Sequence, residues 1–211
     1  MQSYLSVCSE STHEKVIERS RFIARCAHAA GEDAARAFVA AVRAEHSLAT
    51  HNCFAFVADR AGNLLRFSDD GEPQGTAGMP ILEVIRSKKL FETAVVVTRY
   101  FGGIKLGAGG LVRAYAGAAA ELLAEADIRE FTPCRDMSLT VSYEHYDALR
   151  RYLSSRACTV KDTRYTDKVC VIAAVRSADV PAFSAGAVDF MGGRVVCGEG
   201  EEYLFPFPPA K

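Results

Sequence analysis

Apolar and polar positions along the chain recur with two periods, and the segments they mark alternate between strand and helix. Residues 14–28 read as extended structure, with Val16, Ile17, Phe22, Ile23 and Ala24 set among charges. Residues 31–45 predict a helix, because Ala35, Phe38, Val39 and Val42 recur at helical spacing and Glu32 and Asp33 suit the positive end of its dipole. Residues 51–58 read as a strand buried on both faces, followed by a turn at Asp59 to Asn63 and a second strand at 64–68, which together make a hairpin. Ser68 to Pro80 is dense in Gly, Pro and Asp and predicts a structured loop, after which residues 81–88 continue as a helix with Pro80 in its first turn. The β-branched run 93–98 reads as a buried strand. A glycine-rich loop follows it, and then a helix from Leu111 to about residue 126.

Glu130-Phe-Thr-Pro-Cys134 signals a linker. Beyond it the pattern gives a strand at 137–141, a helix capped by Ser142 with Tyr146, Leu149 and Leu153 on one face, and strands at 158–165 and 169–175. A helix at 180–189 and a strand at 194–203 complete the chain. That order is βαββαβ, the sequence of elements of a ferredoxin-like unit. The expected fold class is therefore α+β, with an N-terminal domain over residues 1–132 and a small ferredoxin-like domain over residues 133–211.

The formal charge of −1, from 25 basic and 26 acidic residues, removes any whole-chain argument for a polyanion, so a nucleic-acid footprint has to be local. The 7 cysteines include no Cys-x-x-Cys pair, and an odd number argues against a closed disulfide framework. A reducing cytoplasm fits best. No export signal is evident, and no run approaches the roughly 20 apolar residues of a membrane helix.

The segment from Thr93 to Tyr115 carries the most chemistry. A strand delivers the chain into a loop holding Gly102, Gly103, Gly107, Gly109 and Gly110, and the loop opens a helix. Backbone N–H groups without intrahelical partners, together with the helix dipole, suit phosphate there, with Arg99, Lys105 and Arg113 to neutralise it and Tyr100 to stack on a base. Gly107-x-Gly109-Gly110-x-x-Arg113 does not meet the dinucleotide fingerprint, because Val112 occupies the position of the third glycine, and no Gly-Lys-Ser/Thr closes a P-loop. Arg86, Lys88 and Lys89 add to a local basic excess, with Phe101 as a further aromatic. The same residues would also serve tight packing of loop on sheet.

A second set precedes it. His51 and Cys53 share one face of a strand, where a histidine could activate a thiolate or where both could be buried structural residues. Asp69, Asp70 and Glu72 could hold Mg²⁺ or could cap turns through their own backbone.

Three blocks resemble the signatures of the YigZ/IMPACT family: His51-x-Cys53-x-Ala55, Asp69-Asp-Gly-Glu-Pro-x-Gly-Thr-Ala-Gly-x-Pro80, and Thr98-Arg-Tyr-Phe-Gly-Gly-Ile-Lys-Leu-Gly-Ala-Gly-Gly-Leu-Val-Arg-Ala-Tyr115. The tail is similar to the extra C-terminal domain of bacterial members. The resemblance implies an N-terminal α+β domain with the fold of a small-subunit ribosomal protein, of domain four of the translocating elongation factor and of galactokinase-type kinases. It implies a second domain like the last domain of that factor. Eukaryotic relatives act in translational control by competing for an activator of the kinase that phosphorylates an initiation factor, a pathway not expected in a bacterium. Only a general link to translation carries over.

The expectation is a cytoplasmic binding protein without a cofactor, leaning away from enzymatic activity. It would contact RNA or a ribosome-associated component through the basic glycine loop and regulate translation. The alternatives are a Mg-dependent enzyme on a small phosphorylated substrate, with Asp69, Asp70 or Glu72 opposite the loop, and an adaptor that takes a protein partner through the C-terminal domain.

Overall fold

The computed structural model describes residues 1–207, which form two compact units, one of Tyr4–Glu130 and one of Met1–Ser3 with Phe131–Phe207. Residues 208–211, the end of the expected second domain, lie outside the described residues.

In the N-terminal unit, β1 (Tyr4–Val7) precedes β2 (Ser11–Ile17) and β3 (Ser20–His28), so the segment read as one extended stretch is a hairpin. Its turn is Glu18-Arg19, both at positive φ (45 and 64°), a two-residue connection whose twist matches paired strands. Then come α1 (Glu32–Glu45), the hairpin β4 (His51–Val57) and β5 (Leu65–Ser68), α2 (Gly78–Ser87), β6 (Thr93–Tyr100) and α3 (Gly107–Glu125). The sheet has the order β2-β3-β6-β4-β5, and the pairs given in register are antiparallel.

β6 lies at the centre of that sheet and is buried along nearly its whole length because helices cover both faces. Side chains alternate across a strand. Val95 and Val97 accordingly join Ile81, Leu82 and Ile85 of α2 and Leu111, Tyr115, Ala118 and Leu122 of α3, while Val96 meets Val39 and Val42 of α1 on the other side. The same parity in β4 sends Cys53, Ala55 and Val57 toward α2 and α3. It also decides where Arg99 and His51 point, since each lies two residues beyond those series and they are paired in register.

Helix α3 begins at Gly107, four residues ahead of the expected Leu111, so Gly107, Gly109 and Gly110 form its first turn and do not belong to a loop. Glycine is a poor helix former, but Leu106 is held against the core just before the turn and Leu111, Ala114 and Tyr115 are buried just after it, so packing outweighs propensity.

The expected linker is likewise absent. Glu130 to Cys134 lies inside a continuous strand, β7 (Ile128–Val141). Pro133 suggested a break, but the strand runs through it, and the ladder with β9 begins at the next residue, Cys134. The C-terminal unit continues with α4 (Tyr146–Ser154), β8 (Cys158–Tyr165), β9 (Val169–Arg176), α5 (Val180–Phe190) and β10 (Val196–Phe207). Strand β7 pairs with both β9 and β10, and β8 lies at the sheet's end beyond β9. Ser142 is not the cap of α4: its hydroxyl bonds Glu144, and a short 3₁₀ turn at Tyr143–His145 intervenes. The core lies between the sheet and both helices, and Tyr152 of α4 donates to the Phe183 carbonyl of α5 at 2.6 Å.

Candidate functional site

The residues singled out from the sequence separate into two places in the N-terminal unit. The first is the start of α3. Lys105, Gly110 and Arg113 line one shallow hollow of about 410 Å³, shared with Ile17, Glu18, Ile104, Leu106 and Ala114. No side chain caps α3, so the first-turn N–H groups contributed by Gly107 and Gly109 lack a capping acceptor, and both glycines are exposed. Gly107 has φ of 68°, a backbone angle that favours glycine at this entry. Gly103, at φ 86°, shapes the preceding turn.

Gly102 has a different reason to be glycine. A Cβ there would stand 2.0 Å from the backbone of Arg19, and the Gly102 N–H donates to Ser20 Oγ at 3.2 Å. It is a packing glycine that fastens the loop to the β2–β3 turn. Tyr100 is engaged as well, its hydroxyl 3.0 Å from His46 Nδ1 and its ring beneath the Arg21 guanidinium. Of the remaining basic residues, Arg86 pairs with Glu83, and Lys88 and Lys89 follow the end of α2.

The second place is a buried polar cluster under α3. Glu72 Oε1 accepts from Arg99 Nη1 at 2.6 Å and from the Tyr115 hydroxyl at 2.7 Å, with His51 Nε2 at 3.9 Å. Arg99 is therefore not at the hollow. Its guanidinium stacks over the rings of both Phe22 and Phe101, at 5.4 and 5.3 Å from their centroids, and reaches Ser20 Oγ at 3.3 Å. Burial drives the Tyr115 hydroxyl well above its ordinary pKa, so it stays a donor to Glu72.

The carboxylates of the Asp69 to Gly78 loop are turned inward to its backbone. Asp69 accepts from the N–H groups of Gly75, Ala77 and Gly78, and Asp70 accepts from Arg43 and from the Asn52 N–H. His51 Nδ1 meets the Asp70 carbonyl at 2.8 Å. The Cys53 thiol donates to the Asp69 carbonyl, and burial pushes it up to about 12, which opposes a thiolate at neutral pH. Sequence reasoning missed Ser20, which ties Arg99 to Gly102. It also missed the partnership of Glu72 with Tyr115, which no local spacing announces.

A two-unit chain whose three signature blocks converge under one helix start defines a recognisable class. Residues 18–123 match the Impact N-terminal domain, and residues 139–194 match a domain of unknown function, DUF1949. The chain belongs to the IMPACT family. It is 37% identical to the IMPACT family member YvyE of Bacillus subtilis (strain 168) over 201 residues, 95% of this chain and 93% of that one. It is 39% identical to the IMPACT family member YigZ of Escherichia coli (strain K12) over 195 residues, 92% and 96% of the two chains. A crystal structure described as that of a hypothetical protein is 38% identical, with a TM-score of 0.62 over 93% of this chain and 97% of that one. Among the described residues no helix is long and apolar enough to cross a membrane.

Proposed function

We propose that this protein is a cytoplasmic, non-enzymatic binding protein that contacts RNA or a ribosome-associated component and modulates translation, holding phosphate at the start of α3. The observation that carries the reading is the meeting of Lys105, Gly110 and Arg113 in one hollow at a helix start that no side chain caps. Glu18 on its rim opposes an anion, leaving two cations against one carboxylate.

Domain likeness supports the link to translation. The βαββαβ order of the C-terminal unit, with β7 between β9 and β10, fits a ferredoxin-like domain over residues 133–211. The layered N-terminal unit fits the ribosomal-protein and elongation-factor-domain-four-like fold over residues 1–132. A Mg-dependent enzyme has less support, because Asp69, Asp70 and Glu72 each already accept from protein donors.

The test is fluorescence-anisotropy titration with short single-stranded RNA across a salt series. Binding at low salt should weaken in a Lys105→Glu, Arg113→Glu double variant, with the log–log salt slope shallower by about 0.7 for each phosphate that is no longer neutralised. No binding at low salt, or binding unchanged in that variant, would overturn the reading.

A further inference from the structure

The C-terminal unit carries a groove that the reading above does not use. It is a cavity of about 870 Å³ between α4 and β8, within the size range of specific ligand sites. Its floor is aliphatic. Leu153 and Val171 belong to the core of this unit, Cys158 packs against them, and Val160 continues the same face of β8. Val160 is nevertheless 49% exposed, because β8 ends the sheet and no further strand flanks it among the described residues. The rim, by contrast, is cationic.

Arg150, Arg151 and Arg156 border the cavity against a single acid, Asp147. Arg150 lies 3.9 Å from Asp147, both widely exposed, an arrangement that contributes little. Among the described residues, neither Arg151 nor Arg156 has a carboxylate within ion-pair distance. The rim is also partly held in place: Arg156 stacks over Tyr152 at 5.0 Å and Arg150 over Tyr146 at 5.9 Å. Cations fixed beside an apolar floor cost less to order on binding than free side chains would.

We infer that the groove between α4 and β8 is a docking site for an acidic segment of a partner protein, which sets an aliphatic side chain against Leu153, Val160 and Val171 and places carboxylates on Arg151 and Arg156. Charge complementarity selects the acid, and the aliphatic floor selects a peptide over a nucleic acid. A base would need an open ring to stack on, whereas Tyr146 is already covered by Arg150 and meets Tyr165 edge-on, and Tyr152 is buried. The site lies in the other unit from the α3 hollow and stands or falls independently of it.

A displayed library of random peptides, selected on the full chain and counter-selected on the Arg151→Glu, Arg156→Glu variant, tests this without presuming a sequence. The expected pool pairs Asp or Glu with an aliphatic residue. Synthetic copies of the enriched peptides should lose about tenfold or more in affinity, read by anisotropy, against that variant and against Val160→Asp. Lys105→Glu should leave their binding unchanged. All three arginine and valine positions are exposed, and circular dichroism melts would confirm that the variants fold. Recovery of no peptide that prefers the native chain, enrichment of neutral or basic peptides, or displacement of the peptides by short single-stranded RNA would each overturn the assignment.

Discussion

Arg99 and Glu72 form a closed ion pair, Nη1 to Oε1 at 2.6 Å, with only 5% and 4% of their side chains exposed. Tyr115 donates to the same oxygen, so one carboxylate joins the Asp69 to Gly78 loop, the end of β6 and the first turns of α3. None of the three lines the α3 hollow, and the junction takes neither of its charges to the surface.

Removing one partner should therefore be costly. Glu72→Ala leaves a buried guanidinium without its counter-charge and is expected to destabilise the N-terminal unit by about 3–5 kcal/mol in urea unfolding. The double variant Glu72→Gln, Arg99→Met should recover much of that loss, since it leaves no buried charge without a partner while the Gln carbonyl can still accept from Tyr115. A single-variant cost below about 1 kcal/mol would mean that the pair behaves like a solvated surface bridge.

The loop glycines should separate by role. Gly102→Ala drives a Cβ to 2.0 Å from the Arg19 backbone and is expected to cost about 1–3 kcal/mol. Gly109→Ala meets only the flexible end of Arg113 at 3.6 Å and should be neutral or stabilising by up to about 1 kcal/mol, while crowding the exposed helix start and weakening RNA binding. Equal stability losses in the two variants would remove the distinction.

Much of this was written in the periodicity. The series Val95, Val97 extends to Arg99, and Cys53, Ala55, Val57 extends back to His51, so parity alone aims both polar residues under α3. Sequence reasoning instead grouped Arg99 with the loop because glycine and positive charge lay beside it. Its partner was not legible. Glu72 comes from an irregular loop 27 residues earlier, where neither helical nor strand period constrains a side chain. The start of α3 was hidden for a related reason, since glycine propensity argues against the very turn that Leu106 and Leu111 hold in place. At Pro133, local composition mimicked a linker within a strand whose pairing is set by distant residues.

Cys53 should be inert. Its thiol is buried, bonded to a carbonyl and pushed up to about 12, whereas Cys8 is exposed. Timed iodoacetamide labelling of the native protein near pH 8, followed by peptide mass analysis, is expected to modify Cys8 early and Cys53 only after unfolding. Rapid labelling of Cys53 in the native state would restore the thiolate reading.

His28 supplies a pH dependence whose sign can be worked out. Burial is the largest influence and lowers its pKa from the ordinary 6.5, outweighing the opposing pull of Glu92 at 3.6 Å, while Arg60 adds a smaller push in the same direction as burial. The unfolded chain thus takes up the proton at a higher pH than the folded chain. Between the two pKa values the unfolded state binds more protons, so stability falls as pH falls from about 6.5, with a slope of at most about 1.4 kcal/mol per pH unit for one proton. Above that window the neutral imidazole keeps its place 3.0 Å from Ser6 Oγ. Urea unfolding at pH 7.5 and 5.5 should therefore show a smaller acid-induced loss for His28→Gln than for the native chain, whatever the carboxylates common to both contribute. A larger loss in the variant would reverse the sign and show that Glu92 dominates the site.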